Sequence, residues 1–271
     1  MTAIALTIAG SDSSGGAGIQ ADLKTFSALG VYGASAITAL TAQNTLGVER
    51  VHAVRPEFIL RQIETVAKDL DIGAVKIGML ATSAIIEAVA AGLNSFPGVP
   101  VVLDPVMVAA SGDALLDEGA VETLRAVLVP RASLITPNLP EAAKLLDGKQ
   151  AGHERDMSAQ AKALQRFGAQ AALIKGGHGE GDKAVDILVD AEGEMRLEAP
   201  RVKTRNTHGT GCTLSSAIAA ELAKGASLRE AIVAAKAYVT AAIEAADALR
   251  IGKGRGPVHH FHALWPRQAK R

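Results

Sequence analysis

The sequence has little of several features that would indicate other classes of protein. A single cysteine, Cys212, excludes an intrachain disulfide and a cysteine-rich metal site. Lys plus Arg and Asp plus Glu number 28 each, so no net charge attracts nucleic acid or an anionic membrane. No apolar run is long enough to span a bilayer, and residues 3–9 lack the preceding positive charges of a signal peptide. These absences predict a cytoplasmic protein with neither nucleic-acid nor membrane partners.

Aromatic residues are also scarce, at 3% of the 271 residues, although 48% of the chain is hydrophobic. A core of this composition must be packed with Ala, Val, Ile and Leu, which is typical of a parallel sheet covered by helices. Chains of this length often form a single α/β domain, and the sequence shows neither an internal repeat nor a low-complexity linker. We therefore expect one domain over residues 1–271.

Short apolar runs alternate with segments of helical periodicity along the chain. Residues 19–29 repeat apolar side chains at helical spacing before Gly30, and Pro56 suits the first turn of another helix. The other predicted helices are 83–93, a segment within 118–128, 139–146, 158–167, 212–224 and 228–249. The predicted strands are 3–9, 34–41, 74–77, 101–103, 133–136 and 171–174, followed by a hairpin of 185–189 and 195–197. This order predicts an α/β fold with a mainly parallel central sheet and helices on both faces.

Polar residues follow three of the predicted strands, at the sheet edge where α/β proteins bind ligands. Asp104 follows the fourth strand, Asn138 and Glu141 follow the fifth, and Lys175 follows the sixth. Two carboxylates and a lysine suit a metal-bound triphosphate, because carboxylate oxygens bind Mg²⁺ and an ammonium group binds phosphate. Each residue alone has a simpler interpretation. Asp104 could start a turn before Pro105, Asn138 could cap a helix, and Lys175 could be an exposed loop residue.

A glycine-rich loop, residues 10–18, follows the first predicted strand. Its Gly16-x-Gly18-x-x-Ala21 spacing matches the fingerprint of dinucleotide-binding proteins only loosely. Such proteins place the first glycine directly after the strand and an acidic residue about twenty positions further on, and this chain does neither. A nicotinamide-dependent oxidoreductase is therefore disfavoured.

A second glycine-rich loop, residues 206–213, opens an alanine-rich helix. Gly209 and Gly211 allow backbone N–H groups to converge at the helix N-terminus, which favours an anion site. The alternative is a turn that only packs the helix closely. Cys212 is either an inert core cysteine or, with a thiol pKa lowered by the helix N-terminus, a base.

In combination these segments resemble the hydroxymethylpyrimidine/phosphomethylpyrimidine kinases of thiamine biosynthesis, a branch of the ribokinase-like superfamily. The resemblance extends from the first strand to the last helices. The matching segments are AGSDSSGGAGIQAD (9–22), TAQN (41–44), KIGM (76–79), VLDPV (102–106), TPNLPE (136–141), KGGH (175–178) and THGTGC (207–212).

The resemblance implies a three-layer ribokinase-like fold, a homodimer and a role for each matching position. The aminopyrimidine would be surrounded by Gly10, Asp22, Gln43, Met79 and Val106. Asp104 and Glu141 would organise Mg²⁺, and the ATP contacts would come from Asn138, Lys175 and Thr210. Gly209, Thr210 and Gly211 would form the anion hole, beside Cys212 as the catalytic base. Lys236 is a candidate for an adenine contact.

The resemblance also implies two phosphorylations by ATP, first of hydroxymethylpyrimidine and then of its monophosphate. We expect Cys212 to matter more in the first step, because an alcohol must lose a proton whereas a phosphate oxygen is already anionic. A pyridoxal kinase of the same fold and a non-catalytic protein that binds ATP or pyrimidine are the alternatives. The histidines 259, 260 and 262 are predicted to be surface residues, and His208 to serve loop structure.

Overall fold

The computed structural model describes residues 1–109, 112–117, 119–177 and 181–266. Within these residues the strands are β1 (Ile4–Asp12), β2 (Tyr32–Asn44), β3 (Gly47–Ala53), β4 (Ala74–Ile77), β5 (Val101–Leu103), β6 (Leu134–Ile135), β7 (Ala172–Lys175), β8 (Lys183–Asp190) and β9 (Gly193–Pro200). The helices are α1 (Gly18–Ala28), α2 (Pro56–Ala67), α3 (Ser83–Gly92), α4 (Ala120–Thr123), α5 (Leu139–Leu145), α6 (Glu154–Arg166), α7 (Thr210–Ala223) and α8 (Leu228–Glu244).

The strands of the described residues form one sheet in the order β3-β2-β1-β4-β5-β6-β7-β8-β9. The central strands β2, β1, β4, β5, β6 and β7 are parallel to one another, and antiparallel strands flank them at both edges. The predicted α/β class and mainly parallel sheet are confirmed. Since the carboxyl ends of parallel strands share one edge, β5, β6 and β7 deliver their following residues to the same place.

Two apolar cores lie on opposite faces of the sheet. Alternate strand residues divide between them: Val75 and Ile77 belong to one core and Ala74 to the other. The second core is rich in alanine, including Ala217, Ala219 and Ala220 of α7. These small side chains bring α7 close to the sheet. The core contains few aromatic residues, as the composition predicts.

Some elements differ from the prediction. β3 was not predicted, because its residues are mostly exposed and polar and it pairs antiparallel at the edge of the sheet. The predicted helix within 118–128 narrows to α4 and continues as a π-helical turn over Leu124–Leu128; residue 118 itself lies outside the described residues. No helix in the described part of the chain is long and apolar enough to cross a membrane.

Candidate active site

Asp104, Glu141 and Lys175, here called the carboxylate–lysine cluster, meet at the carboxyl edge of the sheet. Lys175 Nζ lies 2.7 Å from Asp104 Oδ1 and 4.0 Å from Glu141 Oε2. Asp104 is almost fully buried, and its carboxylate also accepts hydrogen bonds from Thr136 and Ser215, at 3.2 Å and 3.4 Å. The simpler interpretation of Lys175 as an exposed loop residue is therefore wrong.

A capping box at the start of α5 places Glu141 in this cluster. Asn138 Oδ1 accepts a hydrogen bond from the backbone N–H of Glu141 at 2.9 Å, and Glu141 Oε2 accepts one from the N–H of Asn138 at 2.7 Å. The helix-cap interpretation of Asn138 is thus confirmed. The predicted contact of Asn138 with ATP stays a prediction. Of the Asn138 side chain, the cap uses only the oxygen and leaves the NH₂ group out.

The charges of the cluster suit a divalent cation. Burial raises the pKa of Glu141 to about 7, and the neighbouring Asp104 carboxylate adds to the rise while Lys175 opposes it. Two neighbouring buried carboxylates repel each other when both are ionised, and an additional positive charge stabilises their ionised forms. Carboxylate oxygens are also the protein ligands that Mg²⁺ prefers. The donor set of Asp104 and Glu141 therefore fits Mg²⁺.

The N-terminus of α7 faces the same cluster. A Cβ built on Gly211 would lie 3.2 Å from Lys175 Nζ and 3.6 Å from Asp104 Oδ2. Gly209, at the N-cap, has a φ of 78°, a left-handed conformation that favours glycine. The hydroxyl of Thr210 donates to the carbonyl of Thr207 at 2.7 Å, which stiffens the turn. The N-terminus of α7 and the Lys175 ammonium group thus lie side by side, an arrangement that suits an anion.

Cys212 lies partly buried in the first turn of α7 and accepts a hydrogen bond from the backbone N–H of Gly18. Burial raises the pKa of its thiol to about 11; Lys76 opposes the rise, whereas Asp22 and Asp104 add to it. The predicted fall of this pKa is therefore wrong, because loss of solvation outweighs the helix N-terminus and Lys76. The thiol is protonated at neutral pH before ligands bind.

The predicted pyrimidine contacts divide into three groups. Gly10 and Met79 touch each other: a Cβ on Gly10 would lie 2.9 Å from Met79 Sδ. Gln43 lies at the end of β2, where its Oε1 accepts a hydrogen bond from Thr41 at 3.0 Å. Val106 follows the cluster, and its N–H donates to the carbonyl of Asp104 at 2.8 Å. These four contacts with the substrate stay predictions.

Asp22, the fifth predicted contact, is enclosed by protein donors. It has no exposed surface, and its two oxygens accept hydrogen bonds from Lys76, Thr7 and Ser216, at 2.6–2.9 Å. Its predicted contact with the pyrimidine stays a prediction, because the structure shows only its protein partners. Asp22 is also the counter-ion of Lys76, a fully buried lysine near Cys212 that the prediction gave no role. The signal was available, since Lys76 interrupts an otherwise apolar strand.

Histidines contradict the prediction in a second place. His259 and His260 are buried and not on the surface. The chain after α8 packs back against that helix and the first glycine-rich loop, since the N–H of His259 donates to the carbonyl of Ala242 and Pro257 lies beside Gly16. His260 Nε2 lies 3.1 Å from Thr213 Oγ1 of α7. His208, predicted to serve loop structure, does so by a specific contact: its Nε2 lies 2.8 Å from Asp12 Oδ2. His178 of the matching segment KGGH lies outside the described residues.

Lys236 is joined to the segment that follows Lys175. Its Nζ lies 2.7 Å from Asp186 Oδ2, and Asp186 Oδ1 accepts a hydrogen bond from the N–H of Gly176 at 3.0 Å. Arg201 also holds this segment, by donating to the carbonyl of Gly177 at 2.6 Å. An adenine contact by Lys236 stays a prediction, but the residue is anchored beside the cluster.

Comparison with known proteins agrees with this geometry. Residues 12–259 match the family model described as phosphomethylpyrimidine kinase. The chain is 60% identical over 265 residues to a hydroxymethylpyrimidine/phosphomethylpyrimidine kinase of Rhizobium meliloti, covering 98% of this chain and 99% of that protein. The enzyme of the same name from Escherichia coli is 54% identical, with 96% and 98% covered.

Solved structures are similar over nearly the whole chain. The crystal structure of an ADP complex of Bacillus subtilis pyridoxal kinase superposes with a TM-score of 0.89 at 42% identity, covering 97% of this chain and 99% of that one. A phosphomethylpyrimidine kinase from Clostridium difficile has a TM-score of 0.79 at 45% identity, covering 89% and 99%.

Proposed function

This chain belongs to the phosphomethylpyrimidine kinase family, and we propose that it transfers the γ-phosphoryl group of ATP to hydroxymethylpyrimidine and then to its monophosphate. The product of the second step is the diphosphate used in thiamine biosynthesis. One observation supports this function above others: Asp104, Glu141 and Lys175 meet at the N-terminus of α7, where Gly211 places no side chain beside the lysine.

In the first step the hydroxymethyl oxygen forms a bond to the γ-phosphorus, and the bond from that phosphorus to the bridging oxygen of ADP breaks. Lys175 binds phosphate oxygens, and the N–H groups of Gly209, Thr210 and Gly211 bind the oxygens of the transferring group. Asp104 and Glu141 would hold Mg²⁺, which neutralises triphosphate charge when bound. Positioning and charge neutralisation supply most of the catalysis in such a site.

Cys212 is proposed to accept the alcohol proton in this first step. It lies in the first turn of α7, directly after the three residues that bind the transferring group. Its raised pKa makes the thiolate scarce at neutral pH, but makes that thiolate a strong proton acceptor. The second step needs no such acceptor, since the attacking phosphate oxygen is already anionic.

The acceptor is tested by ADP release from Mg·ATP with hydroxymethylpyrimidine, its monophosphate and pyridoxal offered separately. Turnover of both pyrimidines well above pyridoxal is expected. Preference for pyridoxal would keep the kinase chemistry and overturn the acceptor. Absence of ADP release with all three, despite ATP binding measured by calorimetry, would favour a binding protein without turnover.

We also propose that residues 1–271 act as one domain in a cytoplasmic homodimer. The continuous sheet from β3 to β9 supports a single domain. Support for a dimer comes from apolar residues exposed on and beside the edge strand β3: Leu40, Leu46 and Val51 are 47%, 67% and 36% exposed. Light scattering of the wild type and of Val51→Asp tests the dimer. A dimeric wild type and a monomeric variant are expected, and a monomeric wild type would contradict it.

A further inference from the structure

Asp12 lies at the end of β1 with both carboxylate oxygens turned into the loop 10–18. Oδ1 accepts hydrogen bonds from the N–H and the hydroxyl of Ser14, each at 2.8 Å. Oδ2 accepts them from the N–H groups of Gly16 and Ala17, at 3.0 Å and 2.8 Å. The same Oδ2 lies 2.8 Å from Nε2 of His208, 196 positions away in the chain. One carboxylate therefore organises this loop and also joins it to the loop 206–213.

The two glycine-rich loops are packed against each other around this contact. A Cβ on Gly209 would overlap the carbonyl oxygen of Gly16, and one on Gly16 would overlap the His208 ring. The backbone N–H of His208 donates to the carbonyl of Gly256 at 3.0 Å. His208 is therefore fixed on its backbone side by the C-terminal segment and on its ring side by Asp12.

The electrostatics favour a charged Asp12. Burial alone would raise the pKa of its carboxyl, but the hydrogen bonds from His208, Ser14 and Ala17 lower that pKa to about 2. Asp12 and His208 are 3% and 6% exposed, so the contact is shielded from competing water. A hydrogen bond to an ionised acceptor in such a place is stronger than a neutral one.

The contact between Asp12 and His208 joins the loop on the side of the phosphoryl acceptor to the loop proposed to bind the phosphoryl group. The loop 10–18 carries Gly10, which touches Met79, and Gly18, whose N–H donates to Cys212. The loop 206–213 carries the N–H groups that face the carboxylate–lysine cluster. Any relative movement of the loops would change the distance between the acceptor and the transferring phosphoryl group.

We propose that Asp12 and His208 are positioning residues that lock the acceptor-side loop to the phosphate-binding turn. This inference rests on the proposed kinase function. Their side chains contact the protein loops and each other, and they act through the loops they join. Loss of the contact is expected to lower kcat and to leave the KM values for ATP and hydroxymethylpyrimidine within about threefold. A misplacement of about 1 Å can reduce turnover about 100-fold without removing a binding contact.

The test compares His208→Gln with His208→Asn. Both amides are polar, but only glutamine places its donor near the position of histidine Nε2, whereas asparagine is too short to reach Asp12. We expect His208→Gln to keep kcat within about fivefold of wild type and His208→Asn to lose about 100-fold. His153→Gln, at the exposed start of α6, is the control and should match wild type. Equal kcat values for the glutamine and asparagine variants would overturn the proposal.

Amide hydrogen exchange separates this proposal from the kinase function. In His208→Asn, residues 10–18 and 207–213 should lose protection together, whereas His208→Gln should retain it. Loss confined to 207–213, or no loss, would overturn the locking role even if the enzyme is active. A wild type that fails to phosphorylate hydroxymethylpyrimidine would overturn the proposed function instead, and the exchange result would still decide whether the loops are locked.

Discussion

Lys76 Nζ lies 2.9 Å and 2.8 Å from the two carboxylate oxygens of Asp22, and neither side chain has exposed surface. Burial would lower the pKa of Lys76, but Asp22 reverses this effect and raises it, so the lysine is charged. Removing one partner of such a buried ion pair lowers the stability by more than the intact pair contributes, because the remaining charge is buried without a partner.

Substitution of one partner should therefore be worse than substitution of both. We expect Lys76→Met to lower the free energy of unfolding by about 3–5 kcal/mol, and Asp22→Asn combined with Lys76→Met to recover much of that loss. Urea denaturation of the single and double variants measures both values. A double variant no more stable than Lys76→Met would contradict the role of Asp22 as the counter-ion.

Gly211 and Gly209 should respond to alanine in different ways. Gly211 lies inside α7, and its Cβ would enter the space beside Lys175 Nζ without a backbone clash. Gly211→Ala should thus fold at least as well as wild type, because alanine favours helices, but lose about 100-fold in kcat through the blocked anion site.

Gly209→Ala should instead destabilise the protein. Its φ of 78° disfavours alanine, and the new Cβ would overlap the Gly16 carbonyl. Thermal unfolding and steady-state kinetics of both variants are the measurements. A Gly211→Ala enzyme with the kcat of wild type would show that the phosphoryl group does not bind beside Gly211.

The raised pKa of Cys212 predicts a particular pH dependence. Below a pKa of about 11 the thiolate fraction increases about tenfold per pH unit, so kcat of the first phosphorylation should rise between about pH 7 and 9. The second phosphorylation should show no such rise. Cys212→Ala should remove the slope and lower the first step by about 10²-fold or more. Equal losses in the two steps would indicate that Cys212 serves packing of the anion site.

His260 predicts the acid sensitivity of the fold. Burial lowers the pKa of its imidazole to about 3, with smaller contributions from Lys24, His259 and His208. Because the unfolded chain has the ordinary pKa of about 6.5, this stability is complete above that pH and is lost as the pH falls towards 3. One such group lowers the free energy of unfolding by about 1.4 kcal/mol when the pH falls from about 7.5 to about 5.5.

Urea denaturation at the two pH values tests this expectation. His260→Gln can keep a donor to Thr213 Oγ1 and cannot take up a proton, so its loss over this pH range should be smaller than that of wild type by about that amount. His153→Gln, which removes an exposed histidine, should retain the wild-type loss. Identical pH dependence in wild type and His260→Gln would assign the acid sensitivity to other groups.

Local patterns in the sequence predicted those parts of the fold that depend on short apolar runs. β4 and β5 have the predicted bounds, because strands buried on both faces are mostly apolar; Lys76 is the one charged residue in these two strands. The strand β3 has no such run, and its register is set by pairing with β2. α6 begins four residues earlier than predicted, at Glu154, where Asp156 Oδ2 accepts the N–H groups of Gly152 and His153.

For the site, the sequence indicated which residues meet but not how their surroundings alter them. Asp104, Glu141 and Lys175 could be predicted to converge because each follows a parallel strand. The pKa of Cys212 could not, because it depends on burial by residues distant in the chain. The contact of Asp12 with His208 joins the first strand to the last helices, and no local pattern indicates such a pair.

The close packing of α7 has a consequence for how such an enzyme can diverge. Near the far end of the helix a Cβ on Gly73 would lie only 3.0 Å from the carbonyl oxygen of Ala223, and alanines fill the contact between. The helix spans about 20 Å, so a larger side chain at its remote end would tilt the phosphate-binding turn at the other. Inherited change in acceptor preference is therefore easier at Gln43 and Val106, two of the predicted pyrimidine contacts, than anywhere along this helix.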